Sequence, residues 1–131
     1  MNYFVTAIGT DSGKSVASAI ITQALQADYW KPIQAGYPTD TDFVRSLVDN
    51  PRSVFHNEAY SLAAPMSPHA AAKLEGKEIS KDKIFMPDTN NDLVIEGAGG
   101  VLVPINNHDF IIDLVPVFNA EVILVVNLYL G

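Results

Sequence analysis

Apolar positions recur along this chain in two rhythms. Tyr3-Phe-Val-Thr-Ala7, Asp92-Leu-Val-Ile-Glu96 and Glu121-Val-Ile-Leu-Val-Val-Asn127 are short, β-rich runs. Such unbroken runs predict strands, and the last is what a parallel strand covered on both faces requires. From Lys14 to about Gln26 the rhythm changes. Val16, Ala17, Ile20, Ile21, Ala24 and Leu25 fall at helical spacing, which predicts a helix. Asp28 to Ile33 reads as a second short strand ending at Pro32, with a loop over 34–38 marked by Gly36 and Pro38. Asp40 to Val48 predicts a short helix with Thr39 as its N-cap. Residues 50–68 are irregular by pattern. Pro68 to Leu74 predicts a helix opened by Ser67 as N-cap and Pro68 at its first position. Residues 75–91 are polar and loop-like, with a helical turn near Ser80 to Phe85. Phe110 to Val117 reads as a helix that Pro116 must end.

Strand, glycine turn, helix is the opening of a βαβ unit. The expected fold class is therefore α/β, a mainly parallel sheet flanked by helices. A length of 131 residues points to one domain spanning 1–131, and 48% hydrophobic residues suffice for a core. The run from Glu121 needs a further crossover to cover it, and Leu128 to Gly131 is too short to supply one. The expectation is that a C-terminal part is missing.

Charge and cysteine usage narrow the function. The formal net charge is −7, unsuited to a nucleic-acid surface. There are no cysteines, which removes disulfides, thiolate catalysis and cysteine-based metal sites. His56, His69 and His108 lie far apart in the sequence, in no metal-binding spacing. The start lacks the features of a signal peptide, and no apolar run reaches the roughly 18–20 residues needed to span a bilayer. A cytoplasmic location without membrane contact is expected.

The strongest chemical signal is Gly9-Thr-Asp-Ser-Gly-Lys-Ser15, set between a strand and a helix. In such a turn the backbone N–H groups of Gly9, Thr10, Asp11, Ser12 and Gly13 converge on phosphate oxygens, aided by the helix N-terminus. Lys14 can reach the β- and γ-phosphates, and the Ser15 hydroxyl can bind Mg²⁺. The usual loop has its first glycine where Ile8 stands, and Gly9 comes one residue later. Lys14 is expected to face solvent. The fold is thus read as P-loop NTPase-like.

Three further stretches belong beside it. Glu96 ends a buried strand, where ligands of open α/β sheets bind, and a carboxylate there suits Mg²⁺. Gly97-Ala-Gly-Gly100 follows, and glycines let backbone approach a ligand. Lys31 stands at a strand end and can project into the same crevice to stabilise an anion, although alone it reads as an exposed lysine. Asp40 and Asp42 are both candidate metal carboxylates, and equally an ordinary first-turn pair. His69 is given no acid–base role, but its neighbours in Pro65-Met-Ser-Pro-His69 can line a substrate pocket.

Together these stretches resemble the dethiobiotin synthetases. The resemblance rests on Tyr3 to Thr6, Gly9 to Ser15, Lys31-Pro-Ile-Gln-Ala-Gly36, Pro65 to His69, Ile95 to Gly100, and Val103-Pro104. It implies an ATP- and Mg²⁺-dependent ligase that closes a cyclic urea from CO₂ and 7,8-diaminononanoate, releasing ADP and phosphate. It implies that Lys14 and Lys31 are catalytic, with Lys31 on the carbamate and the transferring phosphoryl group. Ser15, Asp40 and Glu96 become the metal ligands, with Asp42 the alternative to Asp40. Thr10, Lys31, Ala35, Gly97, Ala98 and Gly99 become substrate contacts, and Asp11 flanks the phosphates. A homodimer is implied too. Ala7 stands where the family has Gly, and Asp11 where it often has Glu. The family also continues past Gly131, with adenine and partner-subunit contacts in that continuation. A partition-type or switch ATPase, an amidotransferase-type relative and a non-catalytic nucleotide-binding fragment are the alternatives.

Overall fold

The computed structural model describes residues 1–128. The final 129–131 lie outside the described part, and with them most of the stretch judged too short for a crossover. Five strands form a parallel sheet: β1 (Asn2–Ala7), β2 (Asp28–Trp30), β4 (Phe55–His56), β6 (Leu93–Glu96) and β7 (Glu121–Val125). Their spatial order is β4-β2-β6-β1-β7, so β1 lies between β6 and β7. The helices are α1 (Lys14–Leu25), α2 (Asp40–Leu47), α3 (Pro68–Leu74) and α4 (Leu114–Val117).

Side chains alternate across the strands and build a core on each face. Phe4, Trp30, Leu93 and Ile95 join Ile111, Leu114 and Phe118 in one cluster. Val5, Tyr29 and Val94 point the other way, to Ala19 of α1 and Val44 of α2. This two-sided burial is why β1 and β6 read as continuous apolar runs. On β7, by contrast, Val122 and Leu124 remain 46% and 51% exposed among the described residues.

Three expectations need correction. The single strand over 28–33 is split: β2 stops at Trp30, and β3 (Ile33–Ala35) joins β5 (Tyr60–Leu62) in a separate parallel pair. Pro32 explains the break. It has no N–H for the ladder, while its carbonyl accepts from the Ala59 and Tyr60 amides. Second, residues 50–68 are not wholly irregular, since they contain β4 and β5. Strands of two and three residues carry too few positions for a periodicity to show. Third, no helix runs from Phe110. A 3₁₀ turn at Ile111–Asp113 leads into α4, and Pro116 sits in the first turn of α4, where its missing N–H costs nothing.

Other local signals act as read. The Thr39 side chain accepts from the Asp42 amide to cap α2, and the Ser67 side chain accepts from the Ala70 amide to cap α3. β7 is bounded at Val125, two residues before the predicted end.

Candidate functional site

The carboxyl ends of β1, β2 and β6 open onto one cavity of about 620 Å³. Here the parallel sheet delivers its loops, the place where open α/β sheets take ligands. The turn after β1 reverses sharply, with Asp11 at φ 56° and Gly13 at φ 92°. It is braced from inside, because the Ser12 hydroxyl donates to the Gly9 carbonyl at 3.1 Å. Among the described residues the amides of Thr10, Asp11, Ser12 and Gly13 donate to no protein group. They are left free at the head of a twelve-residue helix, the arrangement that favours an anion.

Residues 10–16 line this cavity, Lys14 and Ser15 among them. Contrary to the expectation that it faces solvent, Lys14 is only 7% exposed. Its ammonium lies 3.5 Å from the Gly9 carbonyl, and the residue borders the cavity. Burial depresses the Lys14 pKa, and the charge of Lys31 pushes it the same way, against Glu96, Asp40 and Asp11.

Glu96, at the end of β6, is 0% exposed and accepts three hydrogen bonds. Its Oε1 takes the Ser15 hydroxyl at 2.8 Å and Lys31 Nζ at 3.2 Å. Its Oε2 takes the Tyr29 hydroxyl at 3.0 Å. Lys31 follows β2 and is buried, with Nζ also 2.5 Å from Asp40 Oδ2 and 3.4 Å from the Gly97 carbonyl. Burial alone would lower the Lys31 pKa. The carboxylates of Glu96 and Asp40 outweigh it, so the net shift is upward. Tyr29 is pushed well above its ordinary range by burial and then by the Glu96 charge.

The structure separates the two aspartates at the start of α2. Asp40 lines the cavity and pairs with Lys31. Asp42 pairs with Arg45 one helical turn on, at 2.8 Å, with its side chain 67% exposed. The Asp40 backbone is anchored by Gln34, whose Oε1 accepts the Asp40 amide at 3.0 Å while its Nε2 donates to the Gly36 carbonyl at 3.0 Å.

The glycine run after β6 divides as well. Ala98 and Gly99 line the cavity, as does Ala35. Gly97 does not, and faces the core. A Cβ there would meet Ile111 at 3.0 Å and Phe4 at 3.2 Å, so close packing is what requires glycine. Pro65, Met66, Ser67 and Pro68 form part of the wall, as their sequence neighbourhood suggested. His69 instead gives its amide to the Pro104 carbonyl.

Two polar residues were given no role by the sequence reading: Tyr29, and Gln34, which was quoted only within the Lys31 to Gly36 stretch. Both sit in short strands, and nothing in their spacing marks them. Only the register that sets Tyr29 beside Val94, two residues from Glu96, brings the phenol to the carboxylate.

The donor set suits a hard cation. Ser15 Oγ and the Asp40 and Glu96 carboxylates converge around the Lys31 ammonium. Among the described residues no three His, Cys, Asp or Glu side chains form a metal cluster. The set therefore fits a cation that completes its shell with phosphate oxygens and water, the habit of Mg²⁺. Among those residues, too, no helix is long and apolar enough to cross a membrane.

A family model described as an AAA domain matches residues 1–131. The ATP-dependent dethiobiotin synthetase BioD of Cytophaga hutchinsonii is 61% identical over 131 residues, covering 98% of this chain and 64% of the relative. The protein of the same name from Christiangramia forsetii is 52% identical, covering 99% and 63%. The biotin biosynthesis bifunctional protein BioCD of Bordetella avium is 43% identical, covering 98% of this chain and 28% of its own length. The chain thus spans less than two thirds of the length of these relatives.

Proposed function

The chain belongs to the AAA domain family, whose model covers its whole length, and from this premise we propose that it carries the phosphate- and metal-binding centre of an ATP-dependent dethiobiotin synthetase. The substrates on this reading are ATP, CO₂ and 7,8-diaminononanoate, and the products are dethiobiotin, ADP and phosphate. The working protein is taken to be a cytoplasmic homodimer. The observation that carries the proposal is the convergence of Lys14, Ser15, Lys31, Asp40 and Glu96 on one cavity beneath a turn with free amides.

The roles follow from position. The amides of residues 10–13 and the Lys14 ammonium hold the triphosphate, and Lys14 follows the charge that moves onto the leaving β-phosphate oxygen. Ser15, Asp40 and Glu96 would hold Mg²⁺, which would supply neutralisation of phosphate charge. One amine of the diamine adds to CO₂ and loses a proton, forming a carbamate. A carbamate oxygen attacks the γ-phosphorus, and the bond to ADP breaks. The second amine then attacks the carbamate carbon, phosphate departs with the anhydride oxygen, and a proton is lost as the ring closes. Lys31, kept protonated by two carboxylates, is placed to balance the carbamate and the phosphoryl group in transit. Ala35, Ala98 and Gly99 offer a small-residue wall against which the diamine can lie, and Thr10 borders it.

The test is ADP release on incubation with ATP, Mg²⁺ and bicarbonate, with and without the diamine. The proposal expects diamine-dependent ADP release with dethiobiotin detected by mass spectrometry. Hydrolysis indifferent to the diamine would point to a switch ATPase and overturn it.

A further inference from the structure

Among the described residues Glu96 is the one fully buried carboxylate at the cavity, and its two oxygens have different company. Oε1 faces Ser15 and Lys31, groups that line the cavity. Oε2 has a single hydrogen-bond partner among the described residues, the Tyr29 hydroxyl. Tyr29 does not border the cavity. It is 0% exposed and packed among Val5, Ala19, Ala27, Val44 and Val94, with its ring 5.9 Å from that of Phe55. Its phenol reaches Glu96 from the core side, away from the cavity.

We propose that Tyr29 is a positioning residue for Glu96: it fixes Oε2 and thereby keeps Oε1 turned toward Ser15 and the cavity, ready for a cation. The inference rests on the reading of Glu96 as a metal ligand. Two features make the phenol more than core filling. A carboxylate can rotate about its last bond, and a ligand held by only one of its faces is poorly oriented. Partners behind a metal ligand reduce that freedom, and their loss commonly weakens metal affinity by about ten- to a hundredfold. The oxygen on a buried tyrosine also needs a partner, so hydroxyl and carboxylate satisfy one another.

The experiment compares two substitutions in the full chain. Tyr29→Phe removes only the hydroxyl and keeps the ring. Val94→Ala opens a small void in the same cluster and keeps the hydroxyl. Binding of a non-hydrolysable ATP analogue is followed by calorimetry across an Mg²⁺ titration, with a thermal melt of each variant. For Tyr29→Phe the half-saturating Mg²⁺ concentration should rise about tenfold or more, while analogue binding without Mg²⁺ stays at the wild-type level. Val94→Ala should lower Tm and leave the Mg²⁺ half-saturation where it was. An unchanged Mg²⁺ titration in Tyr29→Phe, or an equal shift in Val94→Ala, overturns the role of Tyr29 alone. A wild-type protein whose analogue binding ignores Mg²⁺ overturns the metal reading of Glu96 and this inference with it.

Discussion

Gly9 and Gly100 meet backbone to backbone. A Cβ on Gly100 would stand 3.2 Å from the Gly9 Cα and 3.3 Å from the Ile8 carbonyl oxygen. The two turns that leave neighbouring strands β1 and β6 therefore brace each other. Gly100 has no positive φ, so its glycine answers to space alone. Gly100→Ala should push on the phosphate turn. Nucleotide affinity should fall at least severalfold while stability drops by about 1–3 kcal/mol. Calorimetry and urea denaturation on the same variant measure the two effects, and wild-type affinity would show that the turn yields freely.

Lys14→Ala should lower the rate of phosphoryl transfer by about 10²–10³-fold, the scale for losing one group aimed at developing charge. Stability should hardly change. Among the described residues the Lys14 ammonium makes only a long contact to Gly9, and burial and Lys31 disfavour its charge more than Glu96, Asp40 and Asp11 favour it, so the folded state gives up little with it. Single-turnover kinetics and a thermal melt check both halves. Ordinary turnover would remove Lys14 from the reaction.

The two aspartates of α2 should behave oppositely. Asp40→Asn removes a carboxylate from the Lys31 cluster and should raise the half-saturating Mg²⁺ concentration by about tenfold. Asp42→Asn loses an exposed pair with Arg45, of a kind that contributes under about 1 kcal/mol, and should leave the Mg²⁺ titration unchanged. The reverse pattern would exchange their roles.

Asp28 predicts acid behaviour. Burial would raise its pKa, but hydrogen bonds from Thr89, the Val54 amide, His56 and Asn91 outweigh it, so the folded value lies below the usual 3.8. The unfolded chain then binds the proton more readily. The stabilisation from Asp28 is complete above pH 3.8 and lost as pH falls through the lower folded value. Denaturation midpoints between pH 2 and 7 should therefore show a gap between wild type and Asp28→Asn that narrows at the acid end. A gap of constant width would show that the Asp28 proton plays no part.

Strands β1 and β6 and helix α1 were legible in the sequence because their rhythms are local. Burial on both faces favours apolar residues along a strand, and the spacing from Val16 to Leu25 marked α1 as a helix, although the face it buries is Ser18, Ala19 and Thr22 while Val16, Ile20 and Leu25 are exposed. Glycine and the serine and threonine caps likewise announce themselves through backbone chemistry that needs no distant partner. This sufficed for the turn at Gly9 to Ser15, for Glu96 at a strand end and for the helix start at Asp40.

Tertiary structure alone decided the rest, since it depends on which strand lies beside which. The order β4-β2-β6-β1-β7 sets Lys31 against Glu96, although 65 residues separate them along the chain. It set Asp40 at the cavity beside Lys31 and left Asp42 at the surface with Arg45. It turned Gly97 to the core and put Tyr29 behind Glu96. Such contacts are set by register and by the close packing of side chains, and no local pattern of residues carries that information.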